Sequence, residues 1–193
     1  MKLRHSPSPA RQGSRASRRA AAGFTMVEML STIFIIGVLT AVAVPSFKFV
    51  TNSNRISAEA NGLLGDLQFA RAEAIKEGQT VTVCVSTNGT SCAAGNINWN
   101  DGWIVFEDAN GNKIVDANEA VLRYQPQFTS SDTFDANNAL AAVTFNREGF
   151  ALGVTAGTLI TLHTAPVNAQ YTRCLSVNIV GQLLVERAGG ACT

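Results

Sequence analysis

The sequence predicts an α+β protein, with one long N-terminal helix packed on an antiparallel β-domain that probes as two sheets. Three observations carry that expectation. An unbroken apolar run begins near residue 24, and an apolar period of three and four residues follows it as far as residue 75. Beyond residue 77 the chain breaks into short segments rich in β-branched and aromatic residues, separated by Gly, Asn, Asp, Ser and Thr.

The charges are segregated along the 193 residues. Residues 1–23 hold Lys2, Arg4, Arg11, Arg15, Arg18 and Arg19 with no acid, whereas the rest of the chain has five more acidic than basic residues. A basic tip therefore precedes an acidic body, and the formal net charge of +1 hides both. If the tip stays in the cytoplasm, everything after the apolar run is exported. Three regions follow: a basic leader over 1–23, a hydrophobic helix over 24–51, and a globular domain over 52–193.

The first element is the apolar run "FTMVEMLSTIFIIGVLTAVAV", Phe24 to Val44. Its 21 residues make about 30 Å of helix at 1.5 Å per residue, the hydrocarbon thickness of a bilayer. A cleaved secretory signal ending at Ala41-Val42-Ala43 is the competing reading, but the run is too long for one and contains an acid, Glu28. A carboxylate inside a membrane helix costs on the order of 2.5 to 3.5 kcal/mol near the centre and calls for a partner. The local alternative is that Glu28, about one turn from the helix start, sits at the positive end of the helix dipole and reaches the interface.

Pro45 interrupts a pattern that otherwise continues as helix, so a kink or local melting is expected there. Past it, Ile56, Ala60, Leu63, Leu64, Leu67, Ala70, Ala74 and Ile75 form an apolar face, with Arg55, Glu59, Asp66, Arg71, Glu73 and Lys76 between them. Glu77-Gly78 gives the stop. Strands are then expected over 80–86, 102–108, 120–125, 142–146, 158–164, 172–180 and 182–187. Trp99 and Trp103 read as packing aromatics.

Four cysteines, Cys84, Cys92, Cys174 and Cys192, lie in the exported part. An even number there suggests disulfides; three connectivities are open, and proximity favours Cys84 with Cys92 and Cys174 with Cys192. Neither pair has zinc-site spacing. The segment "DANGNKIVDANE" places Asp108, Asn110, Asn112, Asp116 and Glu119 at positions 1, 3, 5, 9 and 12 of an EF-hand-like series, which would suit Ca2+. Position 6, where the sharp turn wants glycine, is Lys113, and the same residues also suit an ordinary strand connection. No other cofactor is expected. The two histidines, His5 and His163, stand alone, and no nucleophile elbow, phosphate loop or HExxH pattern occurs, so no enzyme is expected.

"G-F-T-M-V-E" before an apolar helix resembles the class III signal of type IV pilins and pseudopilins. That resemblance implies a prepilin peptidase that cuts between Gly23 and Phe24 and methylates Phe24. It also implies that Glu28 pairs with the N-terminus of a neighbouring subunit, and that the stretch from Gly37 to Pro45 can lose helical structure on assembly. The segments "LLGDLQFARAEAIKEGQTVTVCVSTNGTSC" and "NWNDGWIVFEDANGN" are similar to the FimT/GspH group of minor pilins and pseudopilins. The role implied is a structural subunit that primes or caps a type IV pilus. It would be anchored by a single pass in the bacterial inner membrane, with its domain in the periplasm, and would contact other minor pilins and the major pilin. The alternatives are a minor pseudopilin of type II secretion and a DNA-binding minor pilin. Members that bind DNA carry Gly-Arg-x-Arg near the C-terminus, whereas this chain has Gly181-Gln182-Leu183-Leu184 with Arg173 and Arg187 nearby, and its acidic body opposes phosphate.

Overall fold

Helix α1 spans Met26–Glu77 in a computed structural model that describes residues 23–189 and Cys192. The leader, up to residue 22, lies outside the described residues. The chain divides between Val44 and Pro45 into two units.

In the first unit every described residue is exposed. The hydroxyls in this apolar stretch are satisfied by their own helix: Ser31 donates to the Glu28 carbonyl at 2.9 Å, Thr32 to Met29 at 2.9 Å and Thr40 to Ile36 at 2.9 Å. Of the kink or local melting expected at Pro45, the single chain shows no break in the helix, which runs on through Gly37 and Pro45. A proline removes one donor and crowds the carbonyl four residues back, and here that loss does not interrupt the helix.

The second unit is built on the other half of α1. Ile56, Ala60, Leu63, Leu67, Ala70 and Ala74 are fully buried in one stripe, each large side chain there contributing about 1.5 to 3 kcal/mol relative to exposure. Leu64 packs at the margin of the core. Ile75, expected on the same face, is instead 51% exposed, because it lies one step round the helix from Ala74. Gly78 ends the helix at φ +69, its N–H bonding the Ala74 carbonyl at 3.0 Å.

Among the described residues nine strands follow, against seven expected, in the two antiparallel sheets that were expected. The first sheet has the order β3-β2-β1-β5-β6, from Val121–Pro126, Gly102–Glu107, Val81–Val85, Ala142–Phe145 and Ala151–Leu152. The second has the order β4-β7-β8-β9, from Thr133–Ala136, Thr158–His163, Arg173–Val177 and Leu183–Arg187. Strands β4 and β6 escape the sequence reading because four residues and two residues are too short to show a period. The α1 stripe, Val83, Val105 and Phe145 of the first sheet, and Phe134, Ile160 and Leu175 of the second belong to one core.

Strands β1 and β2 are buried on both faces. Cys84, Ile104, Phe106 and Ala142 form a second, smaller cluster on the outer side, under Cys92 and Val115 from the long connections that follow β1 and β2. Trp99 and Trp103 are core residues, as read from the sequence, and each indole N–H is satisfied: Trp99 bonds the Leu140 carbonyl at 2.9 Å and Trp103 the Asp66 carboxylate at 2.8 Å.

One ion pair fastens α1 to the segment before β4. Arg55 grips Asp132 with two hydrogen bonds, 2.6 and 2.7 Å, and the Asp132 side chain is wholly buried. Glu59, one turn on, accepts from Ser130 at 3.1 Å and leaves its other oxygen buried without a partner. Burial first, and the Asp132 charge second, push the Glu59 carboxyl above the ordinary carboxylate range.

Two substitutions one turn apart therefore have opposite signs. Arg55→Ala strands a buried carboxylate and costs about 3 kcal/mol, read as a lower urea midpoint at unchanged slope. Glu59→Gln raises the midpoint at pH 7. Because the folded chain holds the Glu59 proton more tightly than the unfolded chain does, its contribution is full below the unfolded carboxylate value and fades as pH rises through the folded value. The gain from Gln is thus largest at neutral pH and shrinks toward pH 4; an equal gain at both would rule out the titration.

Candidate functional site

The residues singled out in the sequence fall at three places: the start of α1, the two cysteine pairs, and the connection from β2 to β3.

At the start of α1, Gly23, Phe24 and Thr25 precede the first helical turn. Thr25 Oγ1 accepts the Glu28 N–H at 3.2 Å, while Glu28 Oε2 accepts the Thr25 N–H at 3.0 Å and the Thr25 hydroxyl at 3.0 Å. These reciprocal bonds form a capping box, which satisfies two of the amides that a helix start leaves open. The sequence signal was present, a Thr three residues before a Glu at the head of an apolar run. Glu28 Oε1 makes no hydrogen bond among the described residues.

Around this cap the surface is predominantly apolar. Phe24 is 76% exposed and Met26 81%, and the helix is long and apolar enough to cross a membrane. A Cβ placed on Gly37 would meet nothing within 4 Å.

The cysteines pair as proximity suggests, Cys84 with Cys92 and Cys174 with Cys192, and none of the described cysteines is free. The first bridge closes the connection after β1, where Ser86 Oγ donates to the Ser91 carbonyl at 2.7 Å and Asn88 Oδ1 accepts the N–H groups of Thr90 and Ser91. The second ties β8 to Cys192, which bridges to Gly189.

In the β2–β3 connection Asp108 is completely buried. Its Oδ2 accepts the Thr82 hydroxyl at 2.6 Å and the Lys113 N–H at 3.1 Å, and its Oδ1 is buried without a partner. Asp116 Oδ2 accepts the side-chain amides of Asn110 at 2.8 Å and Asn112 at 3.0 Å. Glu119 accepts the N–H groups of Ala109 at 2.9 Å and Asp116 at 3.0 Å. The five residues share one loop, but among the described residues no three His, Cys, Asp or Glu side chains converge as a metal cluster.

Near the C-terminus, Arg173 and Arg187 are opposite each other across β8 and β9. Arg173 is only 6% exposed and donates to the Gln170 and Thr172 carbonyls. Burial first, then the charge of Arg187, pulls its pKa down.

The model for type II transport protein GspH matches residues 59–181, and that for the prokaryotic N-terminal methylation motif matches residues 18–44. With a spanning-length apolar helical stretch followed by a two-sheet β-domain, these define a type IV pilin-like subunit. The chain belongs to the GspH family of minor pilins and pseudopilins. Two crystal forms of the type IV minor pilin FimU from Pseudomonas aeruginosa (strain PAO1) share its fold. One is 21% identical and covers 70% of this chain and 90% of that one, with a TM-score of 0.55. The other is 20% identical and covers 70% and 93%, with a TM-score of 0.51. A search of curated proteins found no match. Membership of this family makes the chain a structural subunit, and the methylation motif implies processing by a prepilin peptidase and assembly with other pilins.

The bridges generate a test of the domain. Native protein should titrate no free thiol, and Cys174→Ser should cost about 3 kcal/mol in denaturant unfolding, as expected for a closed loop of this size. A reducing agent should remove the contributions of both bridges from the wild type, but only that of Cys84–Cys92 from the variant.

Proposed function

We propose that the chain is a minor pilin that enters the priming or tip complex of a type IV pilus. Its leader is cut between Gly23 and Phe24, Phe24 is N-methylated, and its domain faces the periplasm before assembly. The observation that carries this reading is Glu28 as the one charged residue in a wholly exposed, predominantly apolar helix half. A surface of that kind is covered by lipid before assembly and by neighbouring helices afterwards.

In that bundle a second subunit's N-terminal amine needs a carboxylate, and Glu28 Oε1 is the acceptor the cap leaves open. Gly37 fits the same role, because nothing in its own chain requires a glycine there and small residues let membrane helices approach closely. Pro45 marks the end of the embedded stretch and supplies an unpaired carbonyl from which the helix can open.

A minor pseudopilin of type II secretion is the second reading, favoured by the description of the matching family as a type II transport protein. The pilus reading draws on the likeness to a protein described as a type IV minor pilin. DNA binding ranks below both: Arg173 is buried against carbonyls and the motif position is Gln182-Leu183-Leu184.

One set of measurements tests the proposal. Intact mass of membrane-extracted protein should correspond to N-methyl-Phe24 as first residue. Glu28→Ala should insert, be cleaved and fold normally, yet fall at least tenfold in sheared pili, since an uncompensated buried amine costs about 3 to 5 kcal/mol. Glu28→Gln should be nearly as defective. Deletion of the chain should reduce piliation. Loss of secreted enzymes with normal piliation would favour the secretion reading, and wild-type incorporation of Glu28→Ala would overturn the pairing.

A further inference from the structure

We propose that the loop from Asp108 to Glu119 binds Ca2+, through side-chain oxygens of Asp108, Asn110, Asn112, Asp116 and Glu119 and the carbonyl of Ile114. Asp108 points to the ligand. Its carboxylate is turned into the loop, where Oδ2 takes the Lys113 N–H, and it is fully buried while Oδ1 has no partner. A buried carboxylate oxygen left bare costs roughly 1 to 3 kcal/mol or more, so such a group needs a reason. A cation supplied from the exported compartment is that reason.

The departure at position 6 does not remove the turn. Lys113 adopts φ +63, the left-handed conformation that glycine provides in Ca2+ loops of this spacing. Its ammonium lies beside Gly153. The backbone thus makes the turn without a glycine.

The remaining ligands do not converge on Asp108 among the described residues and must turn inward from weak partners. Asp116 rests on the amides of Asn110 and Asn112, and Glu119 on the N–H groups of Ala109 and Asp116, all at the surface of the loop. These are neutral donors that water can replace. Rotation of the two Asn carboxamides turns oxygen inward in place of nitrogen. Three carboxylates, two amide oxygens and one carbonyl make an all-oxygen set of the size Ca2+ takes. Mg2+ prefers a tight octahedron with retained waters and is suited less well by a six-ligand set drawn from one loop.

The test uses the full processed chain in detergent, stripped with EGTA and titrated with CaCl2 by calorimetry, alongside thermal unfolding in CaCl2, MgCl2 or EGTA. One Ca2+ should bind with Kd of about 10⁻⁴ M, within the range of extracellular sites, and Ca2+ at 10 mM should raise Tm by several degrees where equal Mg2+ does not. Asp116→Asn and Glu119→Gln, in the exposed part of the loop, should keep a cooperative transition in EGTA and weaken binding at least tenfold. Lys113→Gly should tighten it severalfold by removing the Cβ strain at positive φ. No heat and no Tm shift up to 10 mM would overturn the proposal, as would an equal response to Mg2+ or undiminished binding by both acidic-site variants.

Discussion

Everything in the second unit depends on the stripe from Ile56 to Ala74. The two sheets are hydrogen-bonded within themselves, and between them backbone contacts are sparse, such as the Asn98–Asp135 bridge and the Ala151 N–H to the Ile179 carbonyl. What joins the sheets is that Val83, Val105 and Phe145 on one side and Phe134, Ile160 and Leu175 on the other share one core with the helix. The stripe mixes the small residues Ala60, Ala70 and Ala74 with Ile56, Leu63 and Leu67, so the helix backbone can approach the strands while large side chains fill the gaps. Arg55–Asp132 and Arg71 to the Gly149 carbonyl then fix its register at either end.

A second constraint is that the outer side of the first sheet is closed as well. Two long connections lie over it, and they need their own anchorage because loops bury little apolar surface. The Cys84–Cys92 bridge anchors one. Asp108 anchors the other, through a buried polar chain in which Thr144 and Thr82 share a hydrogen bond of 2.7 Å and Thr82 donates to the carboxylate. A carboxylate placed at the base of a loop in this way is costly for structure alone, since a neutral Asn or Thr there would bring a smaller desolvation penalty.

The helix, its stop at Gly78 and seven of nine strands were legible because periodicity is a local property repeated over many residues. The stripe was legible for the same reason, apart from Ile75, where only the angular position on the helix decides exposure. Asp132 was not, because its partner Arg55 is distant in sequence and nothing in "SSDTF" marks it as buried. The covering of β1 was equally hidden. "TVTVC" alternates as a half-exposed strand would, yet Thr82 is buried by a connection formed from residues beyond 107. Lys113 read as a departure from a glycine turn, and only the backbone shows that the turn is made regardless.

Glycines separate what the fold needs from what assembly needs. A Cβ at Gly181 would run into the Gly149 carbonyl and the Arg71 guanidinium, and one at Gly102 would run into the backbone of Gln125 and Gln127; both also lie at positive φ. Those glycines are explained inside the chain. Gly37 is helical and open on every side, so its own fold gives it no reason, and helix propensity alone would favour alanine by about 1 kcal/mol. Glu28 stands between the two kinds. Its capping box has a local reason, worth roughly 0.5 to 2 kcal/mol, which lets a lone subunit carry the carboxylate in lipid. A buried amine without a counter-charge is a larger effect, about 3 to 5 kcal/mol, so in the proposed filament the neighbour's terminus outweighs the cap. On that proposal the same side chain serves the free subunit weakly and the assembled one strongly, a difference that would favour assembly over residence in the membrane.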